Sequence, residues 1–202
     1  MATTTLSQMP GYRSAEYVLI LNPHEDLRNR IINVKKEFAE NHHAERAIGG
    51  KPYITLVRFN VWEMMEDKII NSIKPVAMAS PAFKVTLKDY GSFPTHTIYI
   101  DVASKVPIQN LVKDLRSSRR LMKSPEHDPH FITDPYIPIA RKLTHDQFGP
   151  AWEEYSRRHF TAHFIADGML LLKRREGEMA YQIVQRFEFQ NLPVAIKQGE
   201  LF

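Results

Sequence analysis

The sequence predicts an α+β fold made of two similar halves that face each other across a central groove. Two segments nearly repeat each other, PYITLVR at residues 52–58 and PYIPIAR at residues 135–141, and Tyr53 and Tyr136 lie 83 residues apart. Each segment follows a short apolar stretch and an amphipathic helical pattern, so we interpret the repeat as a duplicated β-α-β unit. We expect two sheets with a repeated strand at the centre of each.

The first half shows a strand, a helix, a strand and a second helix. Residues 17–21 are apolar and predict the first strand, after which Asn22 and Pro23 would cap a helix. Charged side chains of this helix, including Lys35, are expected to face water, and its buried stripe consists of Leu27, Ile31, Val34 and Phe38. The first repeated strand covers residues 53–59. The second helix is expected to end at Pro75, with a stripe of Trp62, Met65, Ile69 and Ile73.

The second half repeats this order of elements. Residues 82–89 and 95–102 predict strands, and Pro107 opens a helix with a stripe of Ile108, Leu111, Leu115 and Met122. A polar loop at residues 124–135 precedes the strand that begins at Tyr136, and its length favours a functional role. The remaining predicted elements are a helix at about 146–160 and strands at 161–165, 169–174 and 181–189.

No flexible linker separates the two halves, so we expect them to pack as a single bilobal domain over residues 15–190, with tails at residues 1–14 and 191–202. The chain has 202 residues, 43% of them hydrophobic, which is enough to bury a core. Its apolar runs are much shorter than the roughly 20 residues that a membrane span needs, so we predict no membrane segment. The N-terminus lacks a basic and an apolar region, which favours a cytoplasmic protein over a secreted one.

The cysteine and histidine content limits the possible chemistry. The chain has no cysteine, which excludes disulfides, thiolate metal sites and a cysteine nucleophile. The nine histidines form no His-Glu-x-x-His pattern, so we predict no metal and no other cofactor. A net charge of +4 mildly favours anionic partners such as nucleotides or RNA.

The repeated strands supply the candidate site residues. Because strand side chains alternate between faces, Tyr53 and Thr55 are expected to meet Tyr136 and Pro138 across the groove. Arg141 ends the second repeat, and a guanidinium suits the geometry of a phosphate.

This pattern resembles the 2H phosphoesterases, the superfamily of 2'-5' RNA ligase and RNA cyclic phosphodiesterase proteins. Residues 53–56 (YITL) and 136–139 (YIPI) occupy the positions of its two His-x-Thr/Ser-x strand motifs, and Ala140-Arg141 continues the second strand as in many members. Residues 82–100 also look like the middle strands of that family. The resemblance implies a bilobal α+β fold with two antiparallel-rich sheets around a central groove. It also implies that one histidine acts as base, the other as acid, and that the threonines hold phosphate oxygens.

The chain departs from the family pattern at these catalytic positions. Tyr53 and Tyr136 replace both histidines, and tyrosine, with an ordinary pKa near 10, is a poor base at neutral pH. Pro138 replaces the second threonine and offers no hydrogen-bond donor. His130 precedes the second repeat in PHFIT, where the threonine lies three positions away instead of two. Strand alternation would place that threonine on the face opposite His130.

Three functions are compatible with this sequence. The leading prediction is a degenerate family member that binds a nucleotide or RNA-end phosphate with weak or no hydrolysis. Thr55 and Arg141 would contact the anion, and Tyr53 and Tyr136 would occupy the catalytic positions. The second is an active cyclic phosphodiesterase that uses His130 and another histidine. The third is a non-catalytic interaction module.

Overall fold

The computed structural model describes residues 13–193, which form two antiparallel β-sheets and five α-helices. The predicted α+β class with two antiparallel sheets is confirmed. Of the predicted tails, residues 1–12 and 194–202 lie outside the described residues. The nine strands are β1 (Ser14–Leu21), β2 (Ile54–Trp62), β3 (Phe83–Phe93), β4 (Thr97–Val102), β5 (His130–Phe131), β6 (Tyr136–Arg141), β7 (Thr161–Ala166), β8 (Gly168–Arg175) and β9 (Gln182–Glu188).

Each sheet carries one of the repeated strands. The first sheet has the order β5-β2-β1-β8-β9 and the second has the order β6-β4-β3-β7. The strand β2 therefore lies inside its sheet, but the prediction that β6 is central is wrong, because β6 forms a sheet edge. Pro138 accounts for this position, since it has no N–H group to give to a second neighbouring strand.

The helices of the two repeats are exchanged between the sheets. The five helices are α1 (Glu25–His42), α2 (Glu66–Ala79), α3 (Lys105–Leu115), α4 (Arg119–Met122) and α5 (His145–Tyr155). Helix α1 leads into β2 but packs against β6 and α5, whereas α3 follows β4 but packs against β2 and α2. We call the first sheet with α2 and α3 the first lobe, and the second sheet with α1 and α5 the second lobe.

A single hydrophobic core connects the two lobes. Buried residues of both sheets and of the helices belong to one continuous cluster, among them Leu19, Leu56, Ile73, Ile100, Leu115 and Ile137. The predicted stripe of α3 and α4 is confirmed, because Ile108, Leu111, Leu115 and Met122 are all buried. Helix α1 buries Leu27, Ile31 and Phe38 as predicted. A second, smaller cluster on the other face of β1 contains Val18, Ile20 and Leu172, with Tyr53, Leu170 and Tyr181 packed against it.

Two details of α1 differ from the prediction. The helix begins at Glu25, and its N-cap is His24, whose carbonyl accepts the first helical hydrogen bond from Arg28. Asn22 and Pro23 therefore lie before the cap. Lys35 does not face water: it is only 3% exposed, because its ammonium group turns back to the carbonyls of the loop before β2.

The ends of two other helices also differ from the prediction. Trp62 does not belong to the buried stripe of α2, since it ends β2 and is 42% exposed. Helix α2 continues past Pro75 to Ala79. Pro75 lies on the exposed face, where water can satisfy the carbonyl that loses its partner, and the buried Ile73 and Ala77 hold the helix on both sides. Helix α5 ends at Tyr155 instead of near residue 160.

A partly buried ion cluster ties α2 to β8. The ammonium of Lys173 lies 3.2 Å from a carboxylate oxygen of Glu63 and 2.7 Å from one of Glu66. The hydroxyl of Tyr17 donates a further hydrogen bond to Glu66. Within residues 13–193, no helix is long and apolar enough to cross a bilayer.

Candidate functional site

The two repeated strands meet at a cavity of about 220 Å³, which we call the Arg141 cavity. Its walls come from β2, from β6 and from the short β5 with the residue after it. The lining residues are Thr55, Arg58, His130, Ile132, Tyr136 and Arg141. Four residues that the sequence singled out, Thr55, Tyr136, Arg141 and His130, therefore lie around one space.

A β-bulge in each repeated strand places these side chains on one face. Thr55 and Arg58 are three residues apart and would point to opposite faces of a regular strand. In the pairing with β1, however, Thr55 and Val57 oppose adjacent residues and Leu56 has no partner. This extra residue shifts the alternation, so Arg58 lies on the face of Thr55.

The second repeat has its bulge at the equivalent position. Pro138 and Ala140 oppose adjacent residues of β4, which leaves Ile139 without a partner. Tyr136 and Arg141 therefore share a face although they are five residues apart. Leu56 and Ile139 correspond in the repeat, and so do Arg58 and Arg141, which means that each half contributes one arginine to the cavity.

Arg58 was missed in the sequence interpretation, although the repeat contains the signal that identifies it. Both heptapeptides end in arginine, and only the second one, Arg141, was selected. A strict two-residue alternation from Thr55 points Arg58 away from the groove. The bulge that reverses this direction follows from strand pairing, which the local sequence does not reveal.

The charges around the cavity favour an anion. Among its lining residues there is no carboxylate, and within the described part of the chain none lies within ion-pair distance of Arg141. The guanidinium of Arg141 lies 6.0 Å from the ring centroid of Tyr136, at the limit of a cation–π contact. Arg58 is partly neutralised, because its Nε lies 3.4 Å from a carboxylate oxygen of Glu16.

Tyr136 is held by two further aromatic rings of the second sheet. Its ring centroid lies 5.1 Å from that of Phe93 and 5.0 Å from that of Tyr99. Gly91, opposite Tyr99 in the β3–β4 pairing, makes room for this cluster, because a Cβ atom there would lie 2.5 Å from the Tyr99 ring. The cluster limits the movement of Tyr136 and leaves it only half-buried at the cavity.

Tyr53 lies beside this cavity and lines a second one, of about 710 Å³, which we call the Tyr53 cavity. Its ring packs against the small cluster of Val18, Ile20 and Leu172. Burial raises the pKa of the Tyr53 hydroxyl, an effect that the positive charges of Arg58 and Arg141 oppose but do not cancel. The hydroxyl is therefore a donor at neutral pH and cannot act as a base.

The remaining predicted residues occupy distinct positions. Pro138 is buried opposite Tyr99 and does not line the Arg141 cavity. His130 is exposed at the cavity, because the two-residue strand β5 pairs it with Arg58 of β2. It is the one histidine among the described residues that line this space. Within residues 13–193, no three metal-ligating side chains come together.

The arrangement can bind a small anion more readily than it can move protons. Two guanidinium groups, the Thr55 hydroxyl, the Tyr136 hydroxyl and the His130 imidazole can all donate hydrogen bonds to anionic oxygens. General acid–base catalysis requires a positioned base and a positioned acid, and the side chains of this lining that can take these roles are His130 and Tyr136.

Comparisons with known proteins identify the family and confirm the fold. The family model of the 2'-5' RNA ligase superfamily matches residues 22–178. The fold is similar to that of E. coli LigT in apo form, with a TM-score of 0.62 and 16% identity over 87% of this chain and 98% of LigT. E. coli LigT complexed with 3'-AMP gives a TM-score of 0.60 and 15% identity over 88% and 98% of the two chains.

A Thermus thermophilus protein, TT0787, has the same architecture. It matches with a TM-score of 0.61 and 14% identity over 87% of this chain and 98% of its own. A search of curated protein sequences gives no match. At such low identities the solved structures establish the shared fold alone.

Proposed function

The chain belongs to the 2'-5' RNA ligase superfamily, and on this premise we propose that its Arg141 cavity binds a nucleotide or RNA-end phosphate with weak or no hydrolysis. The observation that supports this proposal is the pair of arginines, Arg58 and Arg141, which the two repeats bring to one cavity without a carboxylate in its lining. E. coli LigT has been solved with 3'-AMP and with phosphate, and we extend this class of ligand to the present chain.

The proposed weak hydrolysis follows from the side chains at the two motif positions. Loss of a positioned acid or base costs about 10² to 10⁴ in rate for each group. Tyr53 cannot replace a base, because burial raises its pKa further. Tyr136 retains a hydroxyl at the cavity, so it can orient a phosphate or give up a proton to a leaving group.

Calorimetry with inorganic phosphate, 3'-AMP and 2',3'-cyclic AMP, together with a turnover assay, tests this proposal. Arg141→Gln should weaken the binding of all three ligands about tenfold, because it removes a charged hydrogen-bond donor. Arg157→Gln is the matched control, since Arg157 is an exposed arginine just after α5, paired with Glu153 and outside the cavity lining. Phosphate binding that is absent from the wild-type protein, or that Arg141→Gln leaves unchanged, would contradict the proposal.

The position of His130 favours one alternative, an active cyclic phosphodiesterase. The predicted second histidine does not line this cavity among the described residues, so in this mechanism His130 would serve as base and Tyr136, instead of another histidine, as acid. In that case His130→Gln should lower turnover of 2',3'-cyclic AMP about 10²-fold or more. The matched control is His163→Gln, because His163 is exposed on β7 outside this cavity. If His130→Gln and His163→Gln turn over 2',3'-cyclic AMP at the same slow rate, this mechanism is excluded.

A further inference from the structure

The Tyr53 cavity has an aliphatic floor. It lies on the face of the first sheet that carries Val18, opposite the face packed against α2, with one wall from the first turns of α1. The floor residues come from three neighbouring strands, β1, β8 and β9, and are Ile20, Leu170, Leu172 and Ile183. At about 710 Å³ the cavity lies within the range typical of sites for organic ligands.

Two apolar side chains at this cavity are left uncovered by the other described residues, 13–193. Ile183 of β9 is 67% exposed and Met179, in the turn before it, is 95% exposed. Both line the same cavity. Exposed apolar residues that share one concave surface indicate a ligand or partner that covers them.

The Tyr53 cavity and the Arg141 cavity are neighbours. The ring of Tyr53 lines the larger cavity. Its hydroxyl is close enough to Arg58 and Arg141, which line the smaller cavity, for their positive charges to oppose the rise in its pKa. Glu16 forms the second link, because its carboxylate binds Arg58 of the smaller cavity and Arg174 of the larger one. One molecule can therefore place an anionic group in the first cavity and an apolar group in the second.

We propose that the Tyr53 cavity is a subsite for an aliphatic group carried by the phosphate-bearing ligand, so that the preferred ligand is an amphiphilic phosphoester. This proposal rests on the proposed function for the position of the phosphate. An aliphatic group matches a floor made of isoleucine and leucine, and it would cover Ile183 and Met179. Arg174 at this cavity is already paired with Glu16, but the two other cationic residues, Arg28 and Lys51, still outnumber the one carboxylate of the lining, Glu25, which also favours an anionic ligand.

Calorimetry with hexyl phosphate, 3'-AMP and inorganic phosphate tests this proposal. Hexyl phosphate should bind about tenfold tighter than inorganic phosphate and tighter than 3'-AMP, because its chain removes apolar surface from water. Ile183→Gln should abolish most of this advantage and leave the affinity for inorganic phosphate unchanged. Ile165→Gln is the matched control: Ile165 is also an isoleucine on an edge strand, 59% exposed, and lies outside the cavity.

The outcomes separate this proposal from the proposed function. One outcome would refute the aliphatic subsite alone: inorganic phosphate binds and its affinity depends on Arg141, but hexyl phosphate binds no tighter, or its affinity is unaffected by Ile183→Gln. Tighter binding of 3'-AMP that Ile183→Gln weakens would also refute it, because the cavity would then hold a base. Failure of every phosphate to bind the wild-type protein would instead refute the proposed function and, with it, the position of the ligand on which the subsite depends.

Discussion

Lys35 should make the stability of this protein increase with pH above neutrality. Its side chain is buried on α1, and its Nζ donates to the carbonyl of Gly50 at 2.8 Å and to that of Gly49 at 3.2 Å, without a carboxylate partner within the described chain. Burial lowers the pKa of Lys35 from 10.5 to about 8, and repulsion by Arg141 adds to this effect. The lysine therefore keeps its proton more weakly in the folded state than in the unfolded state.

The magnitude follows from this difference in pKa. Below pH 8 both states carry the proton, and burial of the charge lowers the free energy of unfolding by its full amount. Between pH 8 and pH 10.5 the folded protein releases the proton while the unfolded chain retains it, so the free energy of unfolding rises. The total gain from this lysine is about 3.5 kcal/mol at most, at about 1.4 kcal/mol for each unit by which the pKa is lowered.

Urea unfolding of the wild-type protein and of Lys35→Met between pH 7 and pH 10.5 measures this effect. The free energy of unfolding of the wild type, relative to that of the variant, should increase with pH in this range, since other titrating groups contribute equally to both proteins. Lys36→Met is the matched control, because Lys36 is the adjacent lysine and is exposed. If the difference in free energy of unfolding between the wild type and Lys35→Met stays constant with pH, the pKa of Lys35 is not lowered.

Three further substitutions test other parts of the structure. Lys173→Met should lower the free energy of unfolding by about 2 kcal/mol in urea titrations, because Glu66 would lose its cation while Glu63 keeps its ion pair with Arg175. A free energy of unfolding equal to that of the wild type would show that this ion cluster does not stabilise the fold. Gly91→Ala should cost about 2 kcal/mol in thermal unfolding, since the new Cβ would overlap the aromatic ring opposite it. The triple variant Tyr53→His, Tyr136→His and Pro138→Thr should gain a modest 2',3'-cyclic phosphodiesterase activity with a bell-shaped pH profile. A folded triple variant that neither binds nor cleaves the substrate would favour an interaction module.

The sequence predicted the positions of strands and helices better than it predicted which of them pack together. The repeat identified β2 and β6, and apolar spacing identified the stripes of α1 and α3, because both signals are local. The same spacing does not tell which sheet a stripe will cover, and so the exchange of α1 and α3 was not foreseen. The burial of Lys35 was not predicted for the same reason, because its acceptors are carbonyls 14 and 15 residues further along the chain.

The residues that line the candidate site were predicted only in part. Thr55, Tyr136 and Arg141 came from the repeat, and the structure places them around one cavity. Arg58 was missed because one unpaired residue, Leu56, reverses the direction of every later side chain in β2. Bulges depend on the register between strands distant in sequence, and counting along a single strand cannot detect them.

The exchange of helices between the lobes has a consequence for cooperativity. Since α1 completes the second lobe and α3 completes the first, a cut between the repeats would remove a covering helix from each sheet and expose its apolar surface. Neither half should therefore fold when expressed alone, and the whole chain should melt in one transition. A ligand bound between β2 and β6 would then raise the melting temperature of both lobes together.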